Sequence, residues 1–92
     1  MLGENYKRGE EVDRVRDLIQ AILCASAHVP EAVCVSPRQD GKRITFFASA
    51  APEDQMKLLD KNGPALKALR IIVGAMAQSL SMDFCLELAS DY

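Results

Sequence analysis

Pro52 and Pro64 constrain this chain more than any other residues in it. A proline has φ locked near −65° and no N–H to lose, so it is harmless at the first position of a helix and disruptive further in. Each of the two therefore reads as a helix start. Behind Pro52, the acids Glu53 and Asp54 complement the exposed amides of a first turn. That helix reaches only to about Leu59, because Asp60, Lys61, Asn62 and Gly63 break it before Pro64 opens the next. The second helix is longer: Leu66, Leu69, Val73, Met76, Ala77 and Leu80 share one stripe, which carries it to about Ser79 or Leu80. Two helices joined by four residues make a tight turn whose amides point outward from a helix N-terminus, a shape that suits a phosphate and is equally the shape of a plain connection.

The other elements follow from their periods. From about Gly9 to Ala27, Val12, Val15, Ile19, Ile22 and Leu23 recur at steps of three and four while Asp13, Arg14, Arg16, Asp17 and Gln20 fill the opposite face, the pattern of an amphipathic helix. Pro30 closes the connection that follows. Ala32 to Ser36 is a β-branched run that suits a strand, with Pro37 ending it or placing it at a sheet edge. Gln39, Asp40, Gly41 and Lys42 carry the Asp-Gly signal of a tight turn, and Arg43 to Ser49 completes a hairpin. Asp83 to Leu88 alternates Phe84, Leu86 and Leu88 against Cys85 and Glu87, as a strand with one better-buried face does. The order is helix, strand, strand, helix, helix, strand. Residues 1–8 read as a flexible leader and residues 9–92 as a single domain.

Composition narrows the function. The chain has 92 residues, 49% apolar but only 5% aromatic, so its core is filled by aliphatic side chains. A net charge of −2 excludes a uniformly basic polyanion binder, and any nucleic-acid role must rest on a local patch. One exists: across residues 57–82, Lys57, Lys61, Lys67 and Arg70 stand against the single carboxylate of Asp60. The polar start and the short apolar runs predict a cytoplasmic protein without a membrane span. Cys24, Cys34 and Cys85 are far apart and lack C-x-x-C spacing, so they read as buried thiols rather than metal ligands, and no cofactor is expected. His28 beside Pro30, the carboxylates of Glu53 and Asp54, and Ser79 and Ser81 form no catalytic grouping, and a non-enzyme is expected.

The stretch APEDQMKLLDKNGPALKALRIIV, Ala51 to Val73, resembles the signature region of a KH domain, and specifically the small single-domain KH proteins of the KhpA type. Lys57, Leu58, Leu59, Lys61, Gly63, Lys67, Ala68, Leu69 and Arg70 stand in the places of that pattern without a gap. The run GPALKAL is also similar to the KH domain of Jag proteins. The resemblance spans roughly Val12 to Leu88. It implies an α+β, type II KH arrangement, α-β-β-α-α-β, with the helices on one face of a three-stranded mixed sheet. It further implies a groove for single-stranded RNA beside a G-x-x-G loop, whose backbone approaches the phosphates. Carried onto this chain, the loop is Asp60, Lys61, Asn62 and Gly63. Leu58 and Leu59 lead in, Ala65 leads out, and Lys57, Lys67 and Arg70 offer charge. The implied function is that of an RNA chaperone or post-transcriptional regulator. The implied partners beside RNA are a second copy or a Jag-type KH protein.

This chain departs from the pattern where it matters most. Asp60 replaces the first loop glycine, adding a Cβ and a negative charge beside any bound phosphate. Pro64 stands where the family often has Arg, and Met56 where Gly is common. Weakened RNA binding is the expectation. The alternative is a KH fold that has lost nucleic-acid binding and serves protein–protein assembly, with Met76 and Met82 as features to examine.

Overall fold

The computed structural model describes residues 2–60 and 63–88, with residues 2–8 described by their backbone. Its sheet is built outward from a hairpin. Strand β1, Cys34–Asp40, pairs antiparallel with β2, Arg43–Ser49, through the Gly41-Lys42 connection. Gly41 has φ +64°, in the left-handed region that favours glycine, at the first of the two central turn positions. Strand β3, Asp83–Leu88, then lies parallel to β2 on its other side, giving the order β1-β2-β3 and a mixed sheet.

Helix α1, Leu2–Ser26, covers β1 and contacts α3, Pro64–Leu80, which covers β3. The short α2, Pro52–Leu58, precedes α3. One face of the sheet supplies Val35, Ile44, Phe46, Ala48 and Leu86 to the core, and the helices answer with Val15, Ile19, Leu23, Leu66, Leu69 and Val73, all buried. Phe46 is fully buried and meets Phe84 edge to face, the ring centroids 5.3 Å apart at 81°. A ring buried this way contributes about 1.5–3 kcal/mol by area alone, before the aromatic geometry is added. The opposite face of the sheet is more open, with Ser36, Arg38 and Glu87 exposed and Thr45 and Phe47 half-buried.

The expected architecture is present: three helices on one side of a three-stranded mixed sheet, in the expected order. Two elements differ in extent from the sequence reading. Helix α1 begins at Leu2 rather than Gly9, because apolar periodicity registers only the turns that pack on the sheet, and helical hydrogen bonding propagates beyond them. Strand β1 begins at Cys34 rather than Ala32, since Pro30–Ala32 forms a 3₁₀ turn, and it continues through Pro37 to Asp40. Counting back from the hydrogen-bonded pair Asp40 and Arg43 at the turn, Pro37 opposite Phe46 falls at a non-hydrogen-bonded site. Its missing N–H therefore faces away from β2, and the ladder loses nothing.

Ser81, with φ 56°, ends α3 in the left-handed region, and the Met82 N–H donates to the Ala77 carbonyl at 2.9 Å to close the helix end.

Candidate nucleic-acid interface

Helix α2 brings the chain to the loop. Ala51 precedes it in extended conformation, Pro52 takes the first helical position, and the first turn carries Glu53 and Asp54. The Leu59 N–H donates to the Gln55 carbonyl at 3.0 Å and ends it. Leu58 and Leu59 are both buried in the core, so they hold the loop from beneath. Asp60 is exposed.

Across the loop the Gly63 N–H donates to the Asp60 carbonyl at 2.9 Å, and the Gly63 carbonyl accepts from the Lys67 N–H at 3.2 Å to start α3. Gly63 has φ −78°, which any residue adopts, so its need for glycine is spatial. A Cβ there would lie 3.2 Å from both the Cβ and the carbonyl oxygen of Asp60. The ends of the loop pack closely, so a side chain at Gly63 would require Asp60 to shift by a few tenths of an ångström. Lys61 and Asn62 lie outside the described residues.

Pro64 occupies the first position of α3, and the N-cap residue, Gly63, has no side chain with which to cap it. The N–H groups of Ala65 and Leu66 are thus the first main-chain donors of its N-terminal turn, where the helix dipole favours an anion. Ala65 is half-buried beside the loop, and Lys57, Lys67 and Arg70 are exposed. Lys67 and Arg70 sit three residues apart on α3 and so share a face. Arg70 is also close enough to β3 to favour the thiolate of Cys85, whose thiol is nonetheless pushed up, first by burial and then by Glu87.

A protein from Halalkalibacterium halodurans, the RNA-binding protein KhpA, is 35% identical to this chain over 63 residues, an overlap of 68% of this chain and 83% of that protein. This chain belongs to the KhpA family. A second KhpA, from Oceanobacillus iheyensis, is 26% identical over 61 residues, 66% of this chain and 81% of its own length. No protein-family model and no solved structure matches the chain.

Within this KhpA fold the predicted residues separate by position. Lys57, Asp60, Lys67 and Arg70 are exposed, Ala65 and Gly63 flank the start of α3, and Leu58 and Leu59 lie in the core. Among the described residues no group of three or more His, Cys, Asp or Glu could hold a metal ion, and no helix is long and apolar enough to cross a membrane.

Two features escaped sequence reasoning. Asp54 is buried at 1% exposure, whereas its neighbour Glu53 is exposed. On α3, Ile71 is 73% exposed and Ile72 is also at the surface, with Ala68 and Ala75 completing a stripe at helical spacing. Met76 and Met82 are half-buried, and among the described residues the exposed methionine is Met56, at 84%. The available signal for the stripe was the absence of charge between Arg70 and Asp83.

Proposed function

We propose that this chain binds single-stranded RNA at the loop of Asp60, Lys61, Asn62 and Gly63, acting in the cytoplasm as an RNA chaperone or post-transcriptional regulator. The observation that carries the reading is the pairing of the Ala65 and Leu66 amides, the first main-chain donors of α3, with exposed Lys57, Lys67 and Arg70 on the two adjoining helices, in a chain whose family includes proteins named as RNA-binding. The amides and the loop backbone take a phosphate, and the cations track its neighbours along the strand. Nothing in this chemistry calls for catalysis.

Asp60 weakens the site. A carboxylate about 5 Å from a phosphate costs on the order of 1 kcal/mol in water, roughly tenfold in affinity. A titration of labelled single-stranded RNA against wild type and Asp60→Gly tests both statements. The reading expects measurable, salt-sensitive binding that strengthens about tenfold in the variant at low salt. Absence of binding by both proteins refutes it.

A second copy of the chain is the favoured partner, because Ala68, Ile71, Ile72 and Ala75 present an uncharged apolar face on α3. Pairing there would let two loops engage one RNA, so that avidity offsets the weakness of each. A Jag-type KH protein would meet the same face as a heterologous partner. If nucleic acid never co-purifies and pairing persists, the assembly-module reading takes precedence.

A further inference from the structure

Asp54 is the one buried charged side chain among the described residues, and phosphate binding at the loop makes no direct use of it. It stands at the third position of α2, where an acidic side chain ordinarily lies back over its own helix start. Here both oxygens reach out of the helix instead. Oδ1 accepts the main-chain N–H of His28 and Oδ2 that of Val29, each at 2.9 Å. Those donors belong to the connection between α1 and the 3₁₀ turn, where neither helix nor ladder supplies an acceptor.

We propose that Asp54 is a positioning residue for the loop: its carboxylate locks the start of α2 to the connection after α1. Its functional consequence rests on the RNA reading above. Its geometry does not. Helix α2 has seven residues, too few to be stable alone, so its direction is set by what holds its ends. Leu58 and Leu59 bury the C-terminal end in the core, and Asp54 fastens the N-terminal end. With both fixed, Lys57, Asp60 and Gly63 hold one position relative to Lys67 and Arg70. With the first released, α2 pivots about the two leucines. The titratable groups acting on the carboxylate are His28 from the connection and Lys57 from α2 itself, and both favour its ionised form. An amide cannot substitute, because Asn offers one acceptor and would face the second N–H with its own donors.

The test compares wild type with Asp54→Asn at a temperature where both are folded. It reads backbone amide chemical shifts and the affinity for a labelled single-stranded RNA dodecamer. The amides of Lys57, Leu58, Leu59, Asp60 and Gly63 should move while those of Ile44, Phe46 and Leu86 stay, and affinity should fall about tenfold. Unmoved amides at Lys57 to Gly63 overturn the proposal, whatever the affinity does. If wild type binds no RNA, the functional reading fails, and the amide shifts alone still decide the positioning role. Should Asp54→Asn not fold, native-state hydrogen exchange of wild type decides. Common opening of His28, Val29, Leu58 and Leu59 supports the lock, and independent opening of the two segments overturns it.

Discussion

The Cβ of Asp60 occupies the space that Gly63 leaves open, 3.2 Å from where a Cβ on the glycine would stand. Gly63→Ala should therefore cost about 1 kcal/mol and lower Tm by roughly 4–8 °C, since both the side chain and the carbonyl of Asp60 must give way. In Asp60→Gly/Gly63→Ala the penalty should shrink, because half of the close contact has gone. Thermal melts of the two single variants and the double variant form the cycle that checks this, and strict additivity would exclude a shared contact.

Salt dependence separates the cations from the loop backbone. Each cation that neutralises a phosphate adds about 0.7 to the slope of log K against log salt on a single strand. Lys57→Gln, Lys67→Gln and Arg70→Gln should each flatten that slope by about this amount. Isothermal titrations across a salt series would show it. A variant with the wild-type slope identifies a cation that does not touch the strand.

Acid stability should report on Asp54. The His28 and Val29 N–H bonds hold its carboxyl below the ordinary 3.8, against the opposing effect of burial. A carboxyl that binds its proton less tightly when folded stabilises the fold fully above its unfolded value, and the contribution is lost as pH falls through the folded one. Denaturant midpoints for wild type should thus decline below about pH 4 more steeply than those for Asp54→Asn, whose side chain does not titrate. Parallel curves for the two proteins would assign the acid sensitivity to other carboxylates.

Ser81 holds a left-handed backbone conformation that costs a side chain about 1 kcal/mol and costs glycine little. Ser81→Gly should stabilise the protein by about 0.5–1 kcal/mol without altering RNA affinity, because the α3 C-terminus lies at the far end of that helix from the loop. Urea unfolding measures the first and a binding titration the second.

The residues that announced themselves in the sequence are those whose role is local. Strands β2 and β3 have the boundaries expected from Arg43 to Ser49 and Asp83 to Leu88, because alternating burial is written directly into side-chain type. The two prolines mark the starts of α2 and α3 for a reason that needs no tertiary information. Strand β1 was half hidden, since Arg38, Gln39 and Asp40 sit exposed on an outer strand and show no alternation. Around the candidate site, the break between α2 and α3 was legible and the burial of Asp54 was not. Whether an acid at the third helical position covers its own helix or crosses to another segment depends on where His28 and Val29 come to rest, and they lie some 25 residues earlier. The exposure of Ile71 likewise depends on which face of α3 the sheet takes.

The outward-facing nitrogen of Pro37 also bears on how this protein behaves when crowded. An incoming strand seeking to extend the sheet along β1 meets a gap in the row of donors, with the charged Arg38 and Asp40 following it on the same strand. Fibrillar stacking through that side is thereby discouraged, and a small, aliphatic-cored protein keeps at least one of its two sheet margins unreceptive to polymerisation.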